Sequence, residues 1–392
     1  MKRVFLQKNK EKSLLRFHPW VFSGAIGKTE HGIKNGDIVE VCDACGSFLA
    51  LGHYHNSSIA VRIFSFEPCV PDYNFWKQKM ERALQLRTAL GLADSKETTM
   101  FRLVNGEGDG LPGLVIDLYG ANAVLQFHSI GMCRLKETFM QIIRDLFPGI
   151  RSIYSKSSLT LADSGGENHD ELLYGTLEPT VALENGIPFH IDIAGGQKTG
   201  FFLDQRDSRD LVGKYAHGRT ILNMFCYSGG FSAYALRGGA LQVDSVDISK
   251  KAIDLTDQNI ALLGKDAEFR HASYCEDVFH FLDRMPQGRY DLIVLDPPAF
   301  AKHQRVKEQG QKGYRNINRK AFEKIRPGGL LFTFSCSQAV SMDDFKTIIF
   351  SAAAMERKNV RVLHHLQHAP DHPYSIFHPE GNYLKGLLLA VE

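Results

Sequence analysis

Residues Thr220-Ile221-Leu222-Asn223-Met224-Phe225-Cys226-Tyr227-Ser228-Gly229-Gly230-Phe231-Ser232 decide how the chain is read. Ile221, Leu222, Met224 and Phe225 form an apolar run of strand character. Ser228-Gly229-Gly230 interrupts it, and residues 231–237 then look helical. A buried strand feeding a glycine turn and a helix start makes a nucleotide-type pocket, because backbone can approach a ligand where side chains are missing.

The neighbours of this turn give it meaning. Residues 243–248 read as a second strand carrying Asp247, roughly 20 residues past the glycines, where a strand-end acid meets ribose hydroxyls. Residues 290–295 are a third strand, followed by Asp296-Pro297-Pro298-Ala299-Phe300. Two prolines cannot continue a ladder. They stiffen a loop at the strand's C-terminal edge, where open α/β sheets bind ligands. The G-x-G-x-x-G spacing of dinucleotide enzymes is missing. Ser-Gly-Gly, Asp247 and Asp-Pro-Pro together point instead to S-adenosylmethionine.

At 392 residues the chain has room for two or three domains. Its net charge of +2 says nothing about partners, but the distribution does. Residues 1–34 carry eight Lys/Arg against Glu11 and Glu30, and residues 302–326 carry nine against Glu308 and Glu323. Such patches fit a phosphate-bearing partner or, more blandly, a solvated surface. Seven scattered cysteines do not suggest a disulfide framework, and neither a signal peptide nor a membrane-length apolar run is seen. The expectation is a reduced, cytoplasmic protein that needs no membrane.

Residues 1–70 read as a small β-rich module, with strands at 2–6, 37–42, 47–53 and 59–64 and turn chemistry at Asn35-Gly36. Cys42 and Cys45 have C-x2-C spacing but no second pair, so no metal is expected. His53 and His55 read as surface residues at a strand end. Residues 72–185 read as an α+β domain with helices at 72–91 and 135–146. Its Glu107 and Asp109 read as turn residues. Residues 186–392 form the third domain, where strands at 220–225, 243–248, 267–272, 290–295, 330–335, 361–366 and 383–391 alternate with helices. That alternation implies a parallel sheet covered by helices. No helical pattern separates the last two strands, so the final strand is expected to run antiparallel, as in the seven-stranded methyltransferase sheet.

The first module, with its basic start and His18-Pro19-Trp20-Val21-Phe22, resembles a PUA domain, a small RNA-binding barrel. The whole chain resembles the RlmI family. The resemblance is carried by Gln197-Lys198-Thr199-Gly200-Phe201-Phe202-Leu203-Asp204-Gln205-Arg206, the 220–232 turn, Asp296-Pro297-Pro298-Ala299-Phe300, Ser335-Cys336-Ser337 and the segment from Asp371-His372-Pro373 to Pro379-Glu380-Gly381-Asn382-Tyr383-Leu384-Lys385-Gly386. It implies a class I S-adenosylmethionine-dependent methyltransferase making 5-methylcytosine in 23S ribosomal RNA, with a PUA-like barrel and a central α+β domain ahead of the catalytic sheet. It also implies that Lys198, Thr199, Gly200, Phe201, Phe202 and Asp204 close over the cofactor. Phe225, Tyr227, Ser228 and Gly229 would line its methionine and ribose side. Asp247, with Ile248 beside it, would take the ribose, and Asp277 the adenine amine. Asn223 stands where many methyltransferases have Asp. Asp296 and Pro297 complete the cofactor set. A homodimer is allowed by the sequence but not required.

Carbon 5 of cytosine is too weak a nucleophile to be methylated directly, so a thiolate must first add at carbon 6. Cys336, at a strand end between two serines, is the candidate. Cys226, inside the cofactor turn, is the lesser one. Asp296 would serve ring nitrogen 3. Pro298 and Phe300 would wall the base, and Lys302 or Arg305 would lie over the RNA and help to activate the thiol. The rival readings are methylation of guanine N7 or of an exocyclic amine, and a non-catalytic RNA-binding protein.

Overall fold

Strand alternation organises the N-terminal region. In β4 (Ile38–Cys42) Val39 and Val41 are buried while Glu40 faces outward. The computed structural model describes residues 1–161, 169–301 and 303–392. The strands β1 (Lys2–Leu6), β2 (Trp20–Phe22), β3 (Ile26–Thr29), β4, β5 (Phe48–Tyr54) and β6 (Ile59–Ser65) form a six-stranded sheet of order β2-β6-β5-β4-β1-β3. The short strands β2 and β3 flank a Ser23–Ala25 turn and give little periodic signal. Between β4 and β5, Asp43 Oδ1 accepts from the backbone N–H of Cys45 and of Ser47, both at 2.8 Å. Cys42 ends β4 with its side chain buried, whereas Cys45 is exposed in the turn that follows.

After helix α1 (Tyr73–Ala89) come β7 (Met100–Asn105), β8 (Leu114–Tyr119), β9 (Asn122–Phe127), helices α2 (Ile130–Cys133) and α3 (Lys136–Leu146), then β10 (Ser152–Ser155) and β11 (Glu171–Gly175). These strands make a five-stranded sheet, β11-β10-β9-β8-β7. Its core of Trp76, Met80, Leu103, Ile116, Phe127 and Phe139 also takes in Leu51 and Phe64 of the first sheet. Both sheets therefore belong to one compact unit, Met1–Leu183 with Ile191–Leu203 and Pro370–Gly381. The shared core corrects the reading of His53. Its ring is buried, 6.0 Å from Trp76 and nearly parallel to it, and burial pulls its pKa down to about 4.

Glu107 and Asp109 are more than turn residues. Asp109 makes a bidentate pair with the fully buried Arg87 at 2.6 and 2.8 Å, and Glu107 accepts from Trp20 Nε1 at 2.7 Å and from Arg62 at 3.1 Å. Arg87 also donates to the Asp371 carbonyl at 2.7 Å, and the Asp371 carboxylate accepts from the Arg102 backbone N–H at 2.9 Å. A Cβ on Gly108 would lie 1.9 Å from the Pro373 carbonyl oxygen, so only glycine fits there. His372 is buried against Asp371 at 3.1 Å.

A two-stranded hairpin follows, β12 (Thr180–Glu184) and β13 (Ile187–Ile191), turned by Asn185 and Gly186 with φ of 49° and 74°. The second compact unit, Glu184–His190 with Asp204–Ala369 and Asn382–Glu392, holds the large sheet. Its elements are α4 (Arg206–Tyr215), β14 (Thr220–Met224), α5 (Gly230–Arg237), β15 (Gln242–Asp247), α6 (Lys250–Ala261), α7 (Lys265–Phe269), β16 (His271–Cys275), α8 (Val278–Arg284), β17 (Leu292–Leu295), α9 (Lys307–Lys324), β18 (Gly329–Ser335), α10 (Met342–Met355), β19 (Val360–Leu366) and β20 (Lys385–Val391). The order is β16-β15-β14-β17-β18-β20-β19, parallel except for β20, which runs antiparallel to both its neighbours. This is the class I methyltransferase sheet.

Two elements depart from the sequence reading. The strand expected at 267–272 lies at 271–275, because residues 265–269 form a helical turn opened by Gly264 at φ 95°. The sequence pattern suggests a helix only over 317–325, but α9 begins at Lys307, because Gly310 and Gly313 mask its first turns. Those glycines are packing devices. A Cβ on Gly310 would sit 2.5 Å from Ala301 Cβ, and one on Gly313 would sit 3.0 Å from the Phe300 ring.

Glu184 and Arg209 form a buried bidentate pair at 2.7 Å for both contacts. Glu184→Ala leaves that guanidinium without its carboxylate in a dry site. The expected loss is about 3–5 kcal/mol of unfolding free energy, read by urea denaturation.

Candidate active site

The C-terminal rim of the large sheet gathers the chemistry-bearing residues of the second unit. At the end of β14 the backbone takes an alternating path: Phe225, Tyr227 and Gly229 have φ of 57°, 48° and 72°. Two non-glycine residues in the left-handed region cost roughly 1–2 kcal/mol each, and such strain collects at binding sites. Asp247 anchors the turn. Its Oδ2 accepts from the Tyr227 N–H at 3.1 Å and its Oδ1 from the Ser249 N–H at 2.9 Å. A carboxylate offers about four lone-pair directions, so Asp247 keeps acceptor capacity for hydroxyls. Ile248, beside it, is 71% exposed, an apolar face next to the acid. Asp277 caps α8 through Oδ1, accepting from the Phe279 and His280 N–H groups at 2.9 and 3.1 Å, with Oδ2 outside that cap. Ser228 is buried, and its carbonyl accepts from Asn259 at 2.8 Å.

Asn223 is drawn inward. Its Nδ2 donates to Ser232 Oγ at 2.8 Å, Ser232 pairs with Ser245 at 2.7 Å, and Ser245 with His271 Nε2 at 2.8 Å. Its Oδ1 is buried without a hydrogen-bond partner. The Asn therefore belongs to a polar ladder inside the unit. Cys226 is buried against Thr256 Oγ1 at 3.6 Å, and burial drives its thiol far above the ordinary range. It is no nucleophile at neutral pH.

Beside this turn β17 ends in the Asp-Pro-Pro loop. Asp296 is half-buried, and its Oδ1 accepts from Gln205 Nε2 at 3.2 Å. Pro297 is buried and Pro298 exposed, while Phe300 packs on Tyr314 at 4.8 Å between centroids. Cys336 follows β18 directly. It is half-buried, with Sγ 4.0 Å from the Pro297 carbonyl oxygen. Ser337 fastens the two loops together. Its Oγ accepts from the Ala301 N–H at 3.0 Å and pairs with Tyr314 OH at 2.8 Å.

Sequence reasoning missed the cation at this place. Lys385 opens β20 opposite Ser335, and its Nζ donates to the Ser337 carbonyl at 2.7 Å. Burial lowers its pKa to about 8, while the Cys336 thiol and Asp344 pull the other way. A lysine heading the otherwise apolar run 386–391 was the available signal. The activators named from sequence fare differently: Arg305 is exposed and Lys302 lies outside the described residues. Five cations of the 302–326 patch are engaged, namely Lys307 with Asp344, Arg319 with Glu356, Lys320 with Asp283, Lys324 with Glu323 and Arg326 with Asp291.

Of the 197–206 run, residues up to Leu203 fall in the first unit. Thr199 is buried there, its hydroxyl bonded to Asp117 Oδ2 at 2.5 Å and to Tyr119 OH at 2.8 Å. Phe201 is buried, and Lys198 Nζ lies over the Phe202 ring at 4.4 Å. A Cβ on Gly200 would approach Ile191 Cγ2 to 2.9 Å at a φ of 129°. In the second unit, Asp204 Oδ2 accepts from Tyr383 OH at 2.5 Å.

Comparison with known proteins then places the chain. A family model described as S-adenosylmethionine-dependent methyltransferase matches residues 165–389, and a PUA-like domain model matches residues 4–66. A protein of Erwinia tasmaniensis named Ribosomal RNA large subunit methyltransferase I is 38% identical over 99% of both chains. One of the same name from Aeromonas hydrophila is 39% identical over 98% of both. This chain belongs to that family. It is a methyltransferase whose cofactor is S-adenosylmethionine. A protein crystallised in complex with SAH has the same fold at a TM-score of 0.86, with 24% identity and full coverage of both chains. Among the described residues no cluster of metal-ligating side chains is found, and no helix is long and apolar enough to cross a membrane.

The strained turn, the spare acceptors of Asp247 and the uncapping oxygen of Asp277 fit S-adenosylmethionine. Asp247→Asn is expected to weaken its binding at least about tenfold, roughly the 1.4 kcal/mol of one charge-assisted hydrogen bond. Isothermal titration calorimetry reads that shift, and an unchanged affinity would assign the ribose elsewhere.

Proposed function

We propose that this chain methylates carbon 5 of a cytosine in ribosomal RNA, 23S by the family resemblance, through a covalent adduct at Cys336. The observation that carries the reading is the Cys336 sulfur beside the Asp-Pro-Pro loop, 4.0 Å from the Pro297 carbonyl. The relatives' name, Ribosomal RNA large subunit methyltransferase I, supports the RNA substrate.

The Cys336 thiolate adds to carbon 6, and the ring's electron pair moves towards carbon 5, which becomes nucleophilic. The cofactor, when bound, supplies an electrophilic methyl group. Asp296 holds or shares a proton at ring nitrogen 3, offsetting charge pushed into the ring. Loss of the carbon 5 proton to a base then expels the thiolate and restores the aromatic ring. Pro298 and Phe300 wall the base, which must leave its stack to reach the sulfur. Lys385, whose ammonium donates to the Ser337 carbonyl one residue on, is a cation that favours the Cys336 thiolate. The 198–202 run as a cover for the cofactor rests on the family resemblance.

Cys336→Ala is expected to lower turnover by at least about a thousandfold, as loss of an attacking nucleophile does. Mass spectrometry of ribosomal RNA from cells carrying either form reads the missing methyl group. Undiminished methylation, or a product on guanine N7 or an exocyclic amine, would reject the adduct.

Lys385→Met is expected to slow alkylation of Cys336 by iodoacetamide about tenfold at pH 7, the effect of one unit in thiol pKa. The ammonium is present below its pKa of about 8 and lost above it. The gap between the two proteins therefore narrows as pH rises through 8. Superimposable pH profiles would remove Lys385 from the mechanism.

A further inference from the structure

The first unit holds a cleft of about 640 Å³ that the methyl-transfer site does not use. It is walled by the end of β6, the outer face of α1, the 106–112 loop and the 375–377 segment. Its volume is in the range of small-ligand pockets. Phe17 and Phe377 stand at its mouth, 51% and 48% exposed, with ring centroids 5.4 Å apart. Phe66 braces Phe17 edge-on at 5.3 Å. Phe17 is also held at a φ of 61°, a conformation that a side chain of its size rarely takes. The chain keeps an aromatic pair in water at this place instead of folding it into either neighbouring core.

Two cations face the same space. Lys79 Nζ lies 5.2 Å from the Phe75 ring centroid, and Arg82 is one helical turn further along α1. Among the described residues no carboxylate bonds to Lys79. Burial, together with the neighbouring Arg82, lowers its pKa to about 8. Of the two carboxylates on the wall, Glu107 is spent on Trp20 and Arg62, and Glu67 is exposed at the rim. The cleft thus offers stacking faces and positive charge with little to neutralise it.

Exposed rings beside cations without counter-ions are the equipment of a single-strand nucleic-acid site, where bases stack and phosphates meet ammonium and guanidinium groups. We propose that this cleft binds a segment of single-stranded RNA, with bases on Phe17 and Phe377 and backbone phosphate on Lys79 and Arg82. The choice of RNA as occupant rests on the function proposed above, but cytosine chemistry does not enter it. The site would add affinity for RNA without taking part in catalysis.

The test uses the full chain and an end-labelled oligoadenylate of about twelve nucleotides, within the known span of single-strand sites. It contains no cytosine, so failure of the carbon 5 reading leaves the result intact. Phe377→Ala and Phe17→Ala are each expected to weaken binding about tenfold in fluorescence anisotropy. Lys79→Ala should weaken it severalfold and reduce the salt slope by about one, while Lys79→Arg keeps both. Cofactor affinity and melting temperature should not move. Affinities of all three alanine variants within twofold of the parent would overturn the proposal. So would free AMP binding as tightly as the oligonucleotide, which would mark a mononucleotide site. Should a variant melt early, photocrosslinking of a thiouridine-labelled strand to the unaltered protein decides. Adducts on peptides carrying Phe17 or Phe377 sustain the site, and adducts confined to other peptides overturn it.

Discussion

The hydroxyl of Ser337 is the contact on which the candidate site depends. It ties the Ala301 amide and the Tyr314 phenol to the segment that carries Cys336, while the Ser337 carbonyl receives Lys385. Two loops that leave neighbouring parallel strands would otherwise be free to separate. With the clamp made, the sulfur and the Asp-Pro-Pro backbone are held together before any substrate arrives, which is what preorganisation requires of a reacting group. The serines around the cysteine are therefore more than a polar setting. Ser337 is a structural joint, and the glycines of α9 let the helix pass close enough for Tyr314 to reach it.

Buried charge does comparable work elsewhere. In the first unit Arg87, Asp109 and Asp371 bind α1, the 106–109 turn and the 370–381 segment into one polar knot. In the second, Glu184 and Arg209 join β12 to α4. Neither arrangement gains much net stability over apolar packing, but each is costly to leave half-made. They select one arrangement of segments far apart in the sequence, which apolar burial alone specifies loosely.

The sheet was readable because its strands are apolar runs of proper length with acids and glycines at their ends. The 220–232 turn, Asp247 and the Asp-Pro-Pro loop needed no long-range information. What escaped reading depended on such information. Lys385 gains its place only because β20 pairs with β18, setting residue 385 opposite 335. His53 looked superficial because its strand pattern cannot reveal that Trp76, from a following helix, lies on it. Glu107 looked like a turn residue because its partners are Trp20 and Arg62 in another sheet. Helix α9 was shortened because glycine lowers local propensity, and the reason for those glycines lies across space in residues 300 and 301.

The antiparallel strand carries a consequence for how the molecule is made. β20 lies between β18 and β19 although it follows both in the chain. Until the polypeptide beyond residue 385 has emerged from the ribosome, β19 has no ladder to join, and β18 presents an open edge able to pair with a foreign strand. The nascent five-stranded sheet is thus the species most exposed to misassembly, and one late insertion both seals that edge and sets Lys385 opposite Ser335.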